Sequence, residues 1–305
     1  MDYLLTTNNI TKKYGKQFAV DHVDIHVTKG DIYGLIGRNG AGKTTILKMI
    51  SGLAKPTEGN YSFYDDNGNQ ISNVSKCRVG TLIESPGIYP NFSAKENVKL
   101  KCIALGINET NEVNRLLELV GLQNAGSKKV KKFSLGMKQR LGIALALAGN
   151  PELMILDEPI NGLDPQGIVE IRNTIEKLNK ENGITFIISS HILEELSKIA
   201  TRYGIIEKGS IIKELSADEL SAEGSERIEL ITDNNEKAVN ILTQMNISKF
   251  KVIDDKKIHI FERFQDTGDI TMTLAQNGVK TIQIYINNDD LENYYLKLTG
   301  GAKNA

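Results

Sequence analysis

Along the first third of the chain, apolar residues come in short runs with turns between them. Leu4–Ile10, Phe18–Val20, Val23–Val27 and Asp31–Ile36 read as strands, followed by Tyr61–Tyr64 and Arg78–Ile83. Asp31–Ile36 runs into a glycine-rich turn and then an amphipathic helix, Lys43 to Ser51. From Asn91 to Ala148 the spacing becomes helical, with Leu116, Leu117 and Val120 and then Ile143, Leu145 and Leu147 recurring at helix-like intervals. Two buried-looking strands, Leu153–Leu156 and Thr185–Ser189, flank a helix near Ile168–Lys180. Short apolar runs alternating with helices predict a parallel-rich α/β core covered on both faces. The helical stretch at about 91–148 reads as an insertion into that core.

Around Ser216–Ser225 the composition turns to Ser, Ala, Glu, Asp and Gly, as in a linker. Beyond it the pattern is strand Arg227–Thr232, helix Asn235–Met245, strands Phe250–Ile253 and Ile258–Phe264, helix Asp269–Gln276 and strand Thr281–Ile286, with a last helix Leu291–Leu298. The order β-α-β-β-α-β is the ferredoxin-like arrangement. Two domains are therefore expected, 1–218 and 219–305, in keeping with 305 residues at about 150 per domain.

Charge narrows the function. With 37 Lys+Arg against 38 Asp+Glu the net charge is −1, unlike the basic surface that neutralises nucleic-acid phosphates, so no nucleic-acid partner is expected. The most apolar stretch, Leu141 to Ala148, is far below the ~20 residues of a membrane-spanning helix. Cys77 and Cys102 read as ordinary buried thiols, with neither a disulfide framework nor a Cys/His metal cluster. The first residues lack the pattern of a signal peptide, and an intracellular protein is expected.

The strongest chemical signal is Gly37-Arg38-Asn39-Gly40-Ala41-Gly42-Lys43-Thr44, which satisfies GxxxxGK[ST] between a strand and a helix. Its glycines allow successive N–H groups to point inward around phosphate oxygens, and the helix adds its positive end. Gly37 through Thr45 are thus expected to bind a nucleoside triphosphate, with Lys43 on the outer phosphates and Thr44 on Mg2+. Further along, Leu153-Met154-Ile155-Leu156 is a buried strand whose end delivers Asp157 and Glu158. Asp157 suits a Mg2+ ligand through water, and Glu158 suits a base for the attacking water. Between them, Ser134-Leu135-Gly136-Met137 opens a helix, with Ser134 as its cap and the Gly136 N–H free for a phosphate.

This set resembles the ATP-binding-cassette ATPases over about residues 1–218. The resemblance implies an α/β P-loop core with antiparallel β and helical subdomains, ATP and Mg2+ as ligands, and a head-to-tail homodimer. In that dimer Ser134 and Gly136 of one subunit cap the ATP held by the other. It further implies that Tyr14 stacks on adenine, that Gly162-Leu163-Asp164 communicates between subunits, and that His191 contacts the γ-phosphate. His22, His26 and His259 have no such context.

Two positions depart from the family pattern. Glu84 stands where most members have glutamine, so an acid replaces an amide beside Mg2+, and the signature reads Ser-Leu-Gly-Met-Lys rather than Ser-Gly-Gly-Gln. Both departures, and the ending Asp290-Leu291-Glu292…Leu298-Thr299-Gly300, are similar to the bacitracin-resistance and lantibiotic-immunity exporters of Gram-positive bacteria. That likeness implies an ATPase subunit on the inner face of the cell membrane, energising a separate permease. The alternative, a soluble cassette ATPase acting on ribosomes or DNA, would be expected to carry a second cassette or a long coiled coil. A GTP switch would want Asn-Lys-x-Asp, where this chain has Asn179-Lys180-Glu181-Asn182.

Overall fold

A computed structural model describes residues 3–71, 79–107, 110–223, 227–287 and 291–299. Cys77 and Arg78 lie outside the described residues, as do Asp290 and Gly300 of the C-terminal ending. The chain divides into two compact units, Met1–Ala217 and Asp218–Ala305.

In the first unit the elements run β1 (Tyr3–Tyr14), β2 (Gln17–Val23), β3 (His26–Thr28), β4 (Ile32–Ile36), α1 (Lys43–Ile50), β5 (Glu58–Tyr64), β6 (Gln70–Ile71) and β7 (Val79–Leu82). Then come α2 (Ala94–Ala104), α3 (Thr110–Leu119), α4 (Leu135–Leu147), β8 (Leu153–Asp157), α5 (Pro165–Asn182), β9 (Thr185–Ser190), α6 (Leu193–Ser197), β10 (Arg202–Glu207) and β11 (Ser210–Ser216). β4, β9, β8 and β7 pair in parallel with β10, in the order β10-β4-β9-β8-β7, and β11 closes the edge antiparallel to β10. β1, β2, β3, β5 and β6 form a separate antiparallel sheet. β4, β8 and β9 are buried at every position, as strands covered on both faces should be. One apolar cluster joins the two sheets through Leu5, Ile10, Leu35, Ile46, Ile155 and Ile187.

The inserted helical region is three helices and two short 3-10 turns rather than one run. Ser93 caps α2 in a full capping box with Glu96, and Gly121 and Gly126 break the path between α3 and α4 at positive φ. The expected strand Val23–Val27 is interrupted at Asp24, whose carboxylate accepts from the Asn9 amide at 2.6 Å. The β10–β11 hairpin was not read from the sequence; its two-residue turn, Lys208-Gly209, holds both residues at positive φ, the geometry that matches strand twist.

The expected linker takes helical form as α7 (Ala217–Glu223), with Asp218 and Glu219 in its first turn favouring the helix N-terminus. The second unit continues with β12 (Arg227–Thr232), α8 (Asn235–Gln244), β13 (Phe250–Val252), β14 (Lys257–Ile260), α9 (Thr267–Gln276), β15 (Thr281–Asn287) and α10 (Leu291–Leu298). Its sheet order β13-β14-β12-β15, antiparallel throughout, is the ferredoxin-like one. The expected strand 258–264 stops at Ile260, because Arg263 turns left-handed and Phe264 enters a 3-10 turn. Ile228, Leu230, Leu242, Ile258 and Leu274 make this unit's own core.

Candidate active site

The glycine-rich loop leaves the C-terminal end of β4 and delivers Lys43 as the first residue of α1. Gly42 has φ 112° and ψ −1°, and a Cβ there would stand 2.6 Å from the Ala19 carbonyl oxygen, so only glycine fits. Lys43 is 5% exposed, and its Nζ donates to the Gly37 carbonyl at 2.6 Å. The same Nζ lies 3.1 Å from Glu158 Oε1.

Three strand ends then converge on the start of α1. Thr44 Oγ1 donates to Asp157 Oδ2 at 2.8 Å, and Ser189 Oγ donates to Asp157 Oδ1 at 2.6 Å. Ser189 Oγ also accepts from the Glu158 amide at 2.9 Å. Glu158 is left-handed at φ 48°, which turns its side chain off the strand end towards the loop. His191 Nδ1 stands 2.7 Å from Glu158 Oε2, so one carboxylate is flanked by the loop lysine and the histidine. Thr44 and Asp157 offer hard oxygen donors side by side, a set that fits Mg2+, which takes one or two protein oxygens plus phosphates and water. Among the described residues no cluster of three or more His, Cys, Asp or Glu stands ready for a different metal.

The open cleft over the loop is lined by Arg38, Asn39, Gly40, Gly42, Lys43, Thr44, Thr45 and Glu158. Gln17, Phe18 and Ala19 at the start of β2, with Lys208 and Gly209 of the β10–β11 turn, complete it. Sequence reasoning missed this second group, because contacts between distant segments place it: Gly209 N donates to Ala41 O at 2.9 Å, and Asp21 N donates to Gly209 O at 2.8 Å. Tyr14 stands at the end of β1, just before the turn into β2, 56% exposed, with Lys12 Nζ 5.3 Å from its ring centroid.

Ser134 and Gly136 are not among the cleft residues. Ser134 caps α4 by accepting from the Met137 amide at 3.2 Å. Leu135 and Gly136 lie against the loop that opens α5: a Cβ on Gly162 would stand 3.4 Å from Leu135 Cδ2, and one on Gly136 would stand 3.7 Å from Gly167 Cα. Asp164 caps α5, accepting from the Gly167 amide at 2.9 Å. Glu84 is left-handed at φ 65° and 65% exposed at its side chain, which accepts from Lys48 Nζ at 2.5 Å. Lys48 follows Thr44 by one helical turn, and the bond to Glu84 raises the lysine pKa above its ordinary value.

Fold and site together define a P-loop ATPase cassette. The ABC transporter family pattern matches residues 20–161, and the chain belongs to that family as an ATP-binding, ATP-hydrolysing subunit. It is 42% identical to the bacitracin transport ATP-binding protein BcrA of Bacillus licheniformis over 303 residues, 99% of each chain. It is 45% identical to the lantibiotic transport ATP-binding protein SrtF of Streptococcus pyogenes over 231 residues, 76% of this chain and 96% of that one. Among solved structures, the dimeric post-hydrolysis state of the cassette MJ0796 bound to ADP and Pi matches with a TM-score of 0.61 at 26% identity, covering 70% of this chain and 98% of that one.

Proposed function

We propose that this chain powers a separate membrane permease that exports a peptide antibiotic of the bacitracin or lantibiotic kind, and so confers resistance. Near-complete coverage by a bacitracin transport relative, and a second match to a lantibiotic transport relative, support that cargo class. The observation that carries the catalytic part is the convergence of Lys43, Thr44, Asp157, Glu158 and His191 on one point from three strand ends. Lys43 releases Glu158 to take the outer phosphates. Thr44 and Asp157 hold Mg2+, which when bound neutralises charge on the transferring phosphoryl group. Glu158 takes a proton from the attacking water as its oxygen bonds to the terminal phosphorus and the bond to the bridging oxygen breaks. His191, beside Glu158, contacts the γ-phosphate oxygens.

Ser134 and Gly136 sit apart from the cleft of their own chain. That placement supports a head-to-tail homodimer in which they cap the nucleotide of the second copy, with Asp164 beside the joint and Tyr14 stacked on the adenine. Leu53, Tyr89 and Leu105, each at least 48% exposed, line a groove between β7, α2 and α4. Exposed apolar residues around one groove suit a permease segment. No helix among the described residues is long and apolar enough to cross a membrane, in keeping with a peripheral subunit on the cytoplasmic face. Affinity purification of the tagged chain from gently solubilised cells tests the partner. A polytopic membrane protein in comparable amount is the expected result; ribosomal or DNA-maintenance proteins without one would defeat the transporter reading.

A further inference from the structure

His191 is followed almost at once by α6, five residues long and too short to hold its own shape. Two anchors fix it. Leu196 is 2% exposed and sits over Gly34 of β4, where a Cβ would stand 2.6 Å from Leu196 Cδ2. Glu195, four residues after His191, accepts from Lys198 Nζ at 2.6 Å and from Arg172 Nη1 at 2.8 Å. Lys198 belongs to the same segment and ties α6 only to itself. Arg172 comes from elsewhere: it lies on α5, the helix capped by Asp164.

The pair is better protected than a surface one, with Arg172 22% and Glu195 18% exposed. Below it is an apolar gap of about 20 Å³, lined by Ile160, Ile168, Ile175, Ile188, Leu196 and Ile199. Those residues come from the loop after Glu158, from α5, from β9 and from α6 and its C-terminal flank. Arg172 and Glu195 themselves line this small gap, and the polar tie from α6 to α5 is Arg172 to Glu195.

We propose that Arg172 is a positioning residue for ATP hydrolysis. Through Glu195 it sets α6 against α5 and thereby sets His191 on Glu158. The same tie joins the helix that begins at Asp164, on the side facing the second copy, to the histidine of its own site. This rests on the reading of His191 and Asp164 given above. Misplacing a group by a fraction of an ångström is enough to slow chemistry substantially, while nucleotide binding by the glycine-rich loop, on another element, is untouched.

The test uses the full chain and compares Arg172→Gln, Arg172→Lys, His191→Ala and the double variant Arg172→Gln/His191→Ala. Arg172→Gln is expected to lower kcat about tenfold with KM for ATP within about twofold and a melting midpoint lowered by no more than about 4 °C. Arg172→Lys should recover most of kcat, since an ammonium reaches the same carboxylate. The double variant should be no slower than His191→Ala alone, because the arginine acts only through the histidine. A wild-type kcat in Arg172→Gln, or a further loss in the double variant, would overturn the proposal. If His191→Ala itself turns over at the wild-type rate, the role given to His191 falls, and this inference with it. A silent Arg172→Gln beside a slow His191→Ala sinks this inference alone.

Discussion

Lys43 Nζ has three partners with which a phosphate must compete, the Gly37 carbonyl at 2.6 Å, Glu158 at 3.1 Å and the Arg38 carbonyl at 3.4 Å. The glutamate is thus both the proposed base and a competitor for the lysine. Glu158→Gln should cut turnover by about 100-fold or more, since a positioned base contributes that much. It should also tighten ATP binding several-fold by freeing Lys43, measurable by titration with a fluorescent nucleotide. Unchanged turnover would remove Glu158 as the base. Glu84 stands on a different footing: at 65% exposure its pair with Lys48 adds little stability. Glu84→Gln should fold and bind ATP normally yet shift the Mg2+ dependence or the coupling to transport. Identical metal titrations and identical transport would leave Glu84 no special part.

At the scale of elements, a polar knot helps to pin the two sheets of the first unit together. Tyr33 of β4, fully buried, donates to Glu214 Oε1 of β11 at 2.7 Å. The same carboxylate accepts from the His26 amide at 3.0 Å, and its other oxygen lies 2.8 Å from His26 Nδ1. Gly204 of β10 makes room for the ring, since a Cβ there would stand 2.1 Å from the Tyr33 hydroxyl. Gly204→Ala should therefore cost about 2–4 kcal/mol, from overpacking plus the disturbed hydrogen bonds. A denaturant midpoint that does not move would show that β10 yields instead. The loops that carry Glu158 and His191 start from this sheet, so its rigidity is what holds their spacing.

At the scale of the molecule, each unit has its own core, and the second carries a buried charge of its own. Glu229, 3% exposed at its side chain, is met by Arg227 at 2.9 Å, by Lys257 and by the Tyr285 hydroxyl at 2.6 Å. His259 Nε2 lies 3.7 Å from it. Burial pushes the His259 pKa below its ordinary value, with Glu229 pulling the other way and Arg227, Lys257 and Lys251 adding to the depression. The unfolded chain therefore takes up a proton at about pH 6.5 that the folded one resists. Stability is unaffected above that value and is lost as pH falls from it towards the lowered folded value. Between pH 8 and pH 5.5 the melting midpoint of the wild type should fall further than that of His259→Gln; equal slopes would show that His259 does not set the trend. Removing residues 218–305 tests whether this unit regulates the cassette or supports the proposed dimer. We expect altered transport or weaker dimerisation, with ATP hydrolysis retained, and no change in any of the three would make it a passive extension.

What was legible from the sequence alone is what neighbours along the chain dictate. The glycine-rich loop is contiguous, and its turn, its helix and its lysine follow from adjacent residues. The buried parallel strands declared themselves as unbroken apolar runs, and the second unit's strand and helix order was readable because each element carries its own period. The tertiary structure decided whatever depends on segments far apart in the chain. It set the sheet order, the seating of the Lys208-Gly209 turn on the loop, the capture of Glu84 by Lys48, and the meeting of Lys43, Glu158 and His191. No local pattern encodes these contacts, because they arise when strands bury their faces against one another and bring their C-terminal ends to the same point.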